Sequence, residues 1–131
     1  MPGGVFGGLL RLYDFQFGSM GIMEEYADEH TIMLDYDRRR TPALAPVFVG
    51  LRMCGLRIVS LRDDRTRKGW HRIIRIQERL TRWETVALQA VLGSDRRRET
   101  LNLMRLMRTR ETGMSPFQER RWNILYSRKL Q

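Results

Sequence analysis

The spacing of apolar residues switches between two periods after residue 30, and this switching constrains the fold more than any other feature of the sequence. "HTIMLDYD" has an apolar side chain at every second position, which is typical of a strand with one buried face. "TPALAPVFVGLRMCG" then carries apolar residues at helical spacing, with Pro46 as the helix start and Gly55 as its C-terminal stop. The pattern predicts a strand followed by an amphipathic helix that packs on it.

Further elements follow along the chain. The runs "LRIVSLRDD" and "GWHRIIRIQ" predict a second and a third strand, joined by the basic loop "DDRTRKG". Thr81 and Glu84 match a capping box that opens a helix through Leu92, and a second helical segment runs from about Asp95 to Met107. The Met and Leu stripe of that segment is expected in the core. "TRETGMSPFQER" predicts a loop, and "RWNILYSRK" predicts a last strand.

This order of elements predicts an α+β protein with the ferredoxin-like, or split βαβ (βαββαβ), arrangement, in which helices cover one face of an antiparallel sheet. In the usual strand order of that arrangement, the first and third strands are central neighbours. Residues 1–24 contain many glycines and no sustained period, which predicts a flexible N-terminal segment. Residues 25–131 are long enough for one domain with a single core.

The charge of the chain is the strongest indication of a partner. It has 24 Lys and Arg against 15 Asp and Glu, a formal net charge of +9 at pH 7. Arginine forks match phosphate oxygens in pairs, and binding releases counterions, so a nucleic acid partner, DNA or RNA, is expected. The alternative is a solvated basic surface, or a subunit of a homo-oligomer or larger assembly.

Cysteine content and hydropathy exclude several other classes. Cys54 is the only cysteine, which rules out an intrachain disulfide and a metal site made of several cysteines. The longest uncharged apolar stretch is far shorter than the ~20 residues that a membrane-spanning helix needs. We therefore expect an intracellular, cytoplasmic protein with no membrane partner.

Two acids end the predicted first strand and point to the same face of it. Asp35 and Asp37 stand two residues apart, and such a carboxylate pair suits Mg²⁺ or Mn²⁺, ions that complete their shells with water and phosphate oxygens. The alternative is that these acids only end the strand and pair with Arg38–Arg40. In the predicted third strand Ile74 and Ile76 face the core, so His71 and Arg75 face out. His71 then shares the face of the acids and can donate to a phosphate oxygen.

The expected nucleic-acid contacts are the cations next to these acids and in the two later strands with their loop. They are Arg38, Arg39, Arg40, Arg65, Arg67, Lys68, Arg72 and Arg75. Gly69 is expected to let the backbone approach closely or to take a positive φ. The alternative for the loop is a solvated turn in which Asp63 and Asp64 pair with its cations.

The stretch "LDYD" on a first strand, then a helix, then "RTRKGWH" leading into a strand resembles the catalytic palm of the archaeo-eukaryotic primase superfamily. That family carries an acid, apolar, acid motif on a strand and a Ser/Gly-rich segment that ends in histidine. The resemblance covers residues 31–77 and implies an RRM-like palm in which Asp35 and Asp37 bind metal and His71 contacts the nucleotide. The chain departs from the family in its short length and in "RWNILYSRK", which supplies no third acid. Only Gly69 matches the small residue before the histidine.

Three functions follow as expectations. The first is a small basic nucleic-acid-binding domain with a degenerate, primase-palm-like sheet face, acting in replication or processing of DNA or RNA. The second is a divalent-metal-dependent nucleotidyl-transfer or nucleotide-binding enzyme at Asp35, Asp37 and His71. The third is a protein-interaction or regulatory module without nucleic acid, in which the Arg-rich helix "SDRRRETLNLMRLMRTR" docks on an acidic partner.

Overall fold

The structure is a computed structural model that describes residues 9–13, 22–110 and 113–128, and these contain six strands and four helices. The strands are β1 (Leu9–Tyr13), β2 (Ile22–Ala27), β3 (Thr31–Tyr36), β4 (Ile58–Arg65), β5 (Trp70–Ile76) and β6 (Ile124–Arg128). The helices are α1 (Ala45–Met53), α2 (Arg82–Val91), α3 (Arg96–Thr109) and α4 (Pro116–Arg121). Two antiparallel sheets and the helices make this an α+β protein, which confirms the predicted class.

The first sheet has the order β3-β5-β4 and contains the first three strands predicted from the apolar pattern. The predicted first and third strands are neighbours in it, with Thr31 opposite Arg75 and Tyr36 opposite Trp70. One face of this sheet packs on α1. The core on that side consists of Ile32, Leu34, Tyr36, Val47, Leu51, Ile74, Ile76 and Leu80. The predicted packing of the first strand on an amphipathic helix is confirmed.

The last strand lies in a different sheet. β6 pairs with β2 in a second sheet of order β1-β2-β6, where Tyr26 lies opposite Ile124. The described strands therefore form two sheets where the sequence pattern predicts one. β1 and the start of β2 fall within residues 1–24, where no strand is predicted, and the rest of that segment lies outside the described residues.

Polar groups from α2, from α3 and from the turn between them occupy the edge of β3 at which a further strand would pair. The Met33 N–H donates to Gln89 Oε1 at 2.9 Å, and Arg98 donates to the Met33 carbonyl at 3.0 Å. Two residues further on, the Asp35 N–H donates to Ser94 Oγ at 3.0 Å. Backbone groups at a strand edge must find partners, and here side chains supply them. The place beside β3 is thus taken by the helices.

These edge contacts belong to a buried polar network that joins α2 and α3 to the start of β6. Gln89 Nε2 donates to Glu99 Oε1 at 2.7 Å and to Asn123 Oδ1 at 3.1 Å. Asn102 donates to the same Glu99 oxygen at 3.1 Å, and Arg98 donates to Asn123 Oδ1 at 2.7 Å. Burial lowers the pKa of Arg98, because it disfavours the charged guanidinium, and the adjacent Glu99 carboxylate opposes that shift.

The sequence pattern misassigns residues 116–121. It predicts a loop up to Arg120 and a strand from Arg121, but residues 116–121 form α4, so that prediction is wrong. The helix begins at a capping box, in which Ser115 and Gln118 each accept a hydrogen bond from the other's backbone N–H, and Pro116 lies in the first turn. Both are start signals of a helix that is short enough to leave little apolar periodicity.

The prediction that the Met and Leu stripe of α3 lies in the core is also wrong. The buried side chains of this helix are Glu99, Asn102, Leu106 and Thr109, three of which are polar. Leu101, Leu103, Met104 and Met107 are instead exposed. None of the described helices is long and apolar enough to cross a membrane.

Candidate nucleic-acid interface

The hairpin between β4 and β5 closes in a tight turn at residues 66–69. β4 extends to Arg65, so the connection is shorter than the predicted loop "DDRTRKG". The Thr66 N–H donates to the Gly69 carbonyl at 2.8 Å, and the Gly69 N–H donates to Thr66 Oγ1 at 3.0 Å. This turn presents Arg67 and Lys68 to solvent.

Gly69 brings the turn against the segment that follows β3. A Cβ atom on Gly69 would lie 1.8 Å from the Tyr36 carbonyl oxygen and 2.9 Å from the Arg38 nitrogen, so only glycine fits. The next residue, Trp70, donates from Nε1 to the Arg39 carbonyl at 3.2 Å. This close approach is to the protein's own backbone, so the predicted approach to a phosphate stays a prediction, and Gly69 is not among the residues with positive φ. Two basic stretches that are distant in sequence are therefore packed together.

The cations of these two stretches form what we call the basic rim: Arg38, Arg39, Arg40, Arg65, Arg67 and Lys68. All six side chains are exposed. In the described part of the chain, no carboxylate lies within 4.0 Å of the charged group of any of them. Arg38 stacks over the Tyr36 ring at 5.9 Å and Arg65 over the Trp70 ring at 5.6 Å, which orients these two guanidinium groups.

The acids of β4 are engaged elsewhere. Asp63 binds Arg72 at 2.7 Å, and Asp64 binds Arg62 at 2.9 Å. Asp63 and Asp64 therefore do not pair with the cations of the turn, which was the alternative for this loop. Similarly, the described ion pairs do not include one between Asp37 and the neighbouring arginines.

Arg72 lies in the core, contrary to the prediction that it contacts nucleic acid. Its side chain is fully buried and donates twice to Asp63, at 2.7 and 2.9 Å. It also donates to the carbonyls of Pro42 and Ala43, at 2.7 and 3.0 Å. The hydrogen bond to Asp63 raises the pKa of Arg72, so it stays charged. The strand alternation puts residue 72 on the same face as Ile74, which explains the burial.

Arg75 lies on the opposite face of β5 from Arg72, as predicted, but far from the basic rim. It is opposite Thr31 and Ser60, five positions beyond Trp70, which amounts to about 16 Å along the strand. The side chain is half-buried. Of the eight predicted nucleic-acid contacts, the structure groups the six of the basic rim and separates Arg72 and Arg75 from them.

An acidic and histidine row crosses the sheet next to the basic rim. His71 lies opposite Asp35 on β3 and opposite Asp64 on β4, so the three side chains share the face without helices. His71 Nε2 is 3.4 Å from Asp35 Oδ1. The predicted convergence of Asp35 and His71 is confirmed. Asp37 lies beyond the end of β3 and is exposed, outside this row.

Sequence reasoning missed Asp64 as a member of this row. The signal was the alternation of β4, which continues past Leu61 through the two acids and places Asp64 on the same face as Arg62. The prediction of a loop at these residues hid it. The side chain of Asp64 is 32% exposed and that of Asp35 is 33% exposed, whereas the His71 side chain is only 6% exposed.

The second sheet covers part of the face that carries this row. Met33 and Ile73 are buried there against Leu125 of β6, and Glu25 of β2 binds Arg62 at 3.1 Å. The predicted helix-free face is therefore partly covered by the second sheet, and the row lies between that covered part and the basic rim. Within the described residues, no group of three or more His, Cys, Asp or Glu side chains is arranged to hold a metal ion. The Mg²⁺ or Mn²⁺ site at Asp35 and Asp37 stays a prediction.

Comparison of the chain with protein-family models, with curated proteins and with solved structures finds no match.

Proposed function

We propose that the protein binds nucleic acid through the basic rim. The observation that carries this proposal is the packing of Gly69 on the Tyr36 carbonyl, which assembles six exposed cations from two separate stretches of chain. Six cations without a carboxylate partner in the described residues repel one another, and a phosphate backbone relieves that repulsion while releasing counterions.

The proposed binding is to the phosphate backbone and does not discriminate strongly between sequences. Long cationic side chains at a turn reach phosphates, and such contacts position a nucleic acid without reading its bases. Trp70 and Tyr36 lie beneath Arg65 and Arg38, and this stacking holds the two guanidinium groups in place.

Fluorescence anisotropy with labelled single-stranded and duplex DNA and RNA tests this proposal. If all six cations contact phosphates of a duplex, the slope of log affinity against log salt is about −5, and affinity falls about a thousandfold between about 50 and 200 mM salt. Replacing Arg65, Arg67 and Lys68 by alanine should flatten the slope by about 2 to 3.

The matched control removes the same charge from other exposed arginines, namely Arg52, Arg97 and Arg108. This variant should bind with a slope close to that of the wild-type chain. An absence of binding to every oligonucleotide at low salt would overturn the proposal, and so would an equal loss in the rim variant and the control.

We further propose that β3, α1, β4 and β5 are a ferredoxin-like core related to the primase palm. The strand order β3-β5-β4 and the placement of His71 beside Asp35 support this relationship, because a palm of that type has the first and third strands as neighbours. The pairing of β6 with β2 is the main departure from it.

A second candidate function, a divalent-metal-dependent nucleotidyl transfer or nucleotide binding, is favoured by the 3.4 Å contact between Asp35 and His71. Asp35 and Asp37 would hold a Mg²⁺ or Mn²⁺ ion, which supplies charge neutralisation for substrate phosphates. His71 would donate a hydrogen bond to a phosphate oxygen. Asp35 and His71 lie at the end of the sheet next to the basic rim, where a nucleic acid strand would be bound.

Incubation with Mn²⁺, a primed template and labelled nucleotides tests this second candidate. The Asp35→Ala, Asp37→Ala double variant should lose product formation, while an Asp28→Ala variant, remote from the row, should retain it. Extension of the primer at an unchanged rate in the double variant would remove the assignment, as would a lack of product from the wild-type protein.

A further inference from the structure

Helix α3 is inverted relative to an ordinary amphipathic helix, because most of its buried side chains are polar. Glu99 and Asn102 take part in the buried network, and Thr109 turns its hydroxyl to the carbonyl of Arg105 at 3.0 Å. Leu106 is the only apolar one among the four buried side chains. The attachment of α3 to the rest of the protein therefore depends largely on hydrogen bonds.

The outward face of α3 carries the apolar residues instead. Leu101, Leu103, Met104 and Met107 keep between 38% and 49% of their surface accessible. Residues three or four apart are neighbours on a helix surface, so these four side chains form one continuous patch, which we call the α3 stripe. Clusters of exposed large apolar residues are uncommon on monomers unless they contact a partner.

Arginines bracket this stripe at both ends. Helical spacing places Arg97, Leu101, Met104 and Arg108 in one row and Arg96, Leu103, Met107 and Arg110 in the adjacent row. The four arginines are exposed, and the only acid of the helix, Glu99, is buried with Arg98. The distance from Arg97 to Arg108 is about 16 Å along the axis. A complementary surface would be apolar in the middle and acidic at both ends.

We propose that the α3 stripe is a docking surface for an acidic amphipathic helix of another protein. A second copy of α3 would place arginines against arginines, which disfavours self-association through this face. A phosphate backbone would match the arginines but would leave the Leu and Met side chains against charge. Methionine-rich faces suit helical partners because the flexible side chains adapt to them.

A synthetic helical peptide with leucines in its central turns and glutamate pairs about 11 residues apart tests this proposal by fluorescence anisotropy. A control peptide of the same composition carries the glutamates in the middle and the leucines at the ends. The first peptide should bind at least about tenfold more tightly than the second. The Met104→Gln, Met107→Gln variant should weaken that binding about tenfold.

A matched control is Val91→Gln, which changes another exposed apolar helix residue. It should leave peptide binding unchanged, while Arg97→Gln, Arg108→Gln should reduce the affinity and its dependence on salt. Far-UV circular dichroism verifies that each variant is folded.

Four results would overturn the proposal. The first is equal binding of the two peptides, and the second is equal binding by the stripe variant and the wild-type protein. The third is a wild-type dimer in light scattering that the stripe variant converts to a monomer, which would assign the face to a second copy. Oligonucleotide affinity should not change in the stripe variant. A loss of that affinity would assign the face to nucleic acid and also contradict the proposal.

Discussion

At the scale of single residues, two positions at the start of β5 have opposite demands. Gly69, just before the strand, has no room for even a methyl group, because the Tyr36 carbonyl oxygen occupies that space. Arg72, three positions on, fills a fully buried site with a long charged side chain, and Asp63 and two carbonyls bind it. The first position sets the distance between two chain segments, and the second connects them by hydrogen bonds.

Replacing Gly69 by alanine should destabilise the protein by about 3 kcal/mol or more, because the new Cβ displaces backbone. The same change at Gly55, where φ is +74° and the space around the site is open, should cost only about 1 to 2 kcal/mol. Urea denaturation of both variants measures the difference. Equal losses would show that the close approach to Tyr36 is not the reason for glycine at residue 69.

Replacing Arg72 by methionine should cost about 3 to 5 kcal/mol, because the Asp63 carboxylate and two carbonyls lose their donor. Arg39→Met on the basic rim should change the free energy of unfolding by less than about 0.5 kcal/mol. Urea denaturation at neutral pH measures both changes in the free energy of unfolding. A mild effect at Arg72 would mean that its contacts contribute little, and the description of it as a core residue would need revision.

At the scale of elements, local start signals and long-range contacts have separate roles. Capping boxes at Thr81 and Ser115 begin α2 and α4, and the side-chain oxygen of Asp95 begins α3. The placement of these helices depends on the buried network, in which Gln89 reaches the Met33 backbone across 56 residues of sequence. A capping signal determines where a helix starts, and the network determines what the helix contacts.

Replacing Thr81 by alanine should destabilise the protein by about 1 kcal/mol, because α2 loses its N-terminal cap. The control is Thr100→Ala on the exposed part of α3, where the hydroxyl only returns to the Arg96 carbonyl. That change should be neutral or slightly stabilising. Thermal unfolding followed by circular dichroism distinguishes the two, and equal shifts in Tm would contradict the assigned role of the cap.

At the scale of the whole molecule, the two sheets and the charge distribution act together. β6 covers part of the first sheet at Met33 and Ile73, and the cations of the basic rim at one end of the sheet stay exposed. Carboxylates elsewhere hold backbone groups and arginines, for example Glu78 with the Arg57 N–H at 2.7 Å and Glu29 with Arg79 at 2.9 Å. The net charge is already +9 at pH 7. Protonation of such carboxylates in acid removes negative charge, so the chain becomes increasingly cationic.

The stability of the protein should therefore fall in acid. Hydrogen bonds lower the pKa of Glu29, Glu78 and Glu84 below the ordinary value of 4.5, chiefly through backbone groups. A carboxylate with a lowered folded-state pKa stabilises the fold above 4.5, and that contribution is lost as the pH falls through the folded-state value. Urea midpoints should thus be constant between pH 7 and about pH 5 and decrease below it.

The Glu78→Gln, Glu84→Gln variant provides the control for this pH dependence. The urea midpoint of this variant should decrease less steeply in acid than that of the wild-type protein, because two of the titrating groups are gone. A midpoint that stays constant down to about pH 3 would contradict the prediction.

Local pattern alone determined most of the first sheet. β3, β4, β5, α1 and the start of α2 are all readable, because alternation, helical spacing and capping residues act within a few positions of one another. The alternation of β5 also placed His71 beside Asp35 once the two strands were taken as neighbours. It equally implied the burial of Arg72, which the emphasis on charge obscured.

Only the tertiary structure decided how these parts combine. No local signal shows that Gln89, Ser94 and Arg98 take the edge of β3, so the choice of β2 as the partner of β6 could not be foreseen. The same network buries the polar side of α3 and leaves its Met and Leu side chains outside, against the ordinary expectation for an amphipathic helix. Apolar periodicity reports how side chains are distributed around an element, but which side is buried depends on hydrogen-bond partners that are distant in sequence.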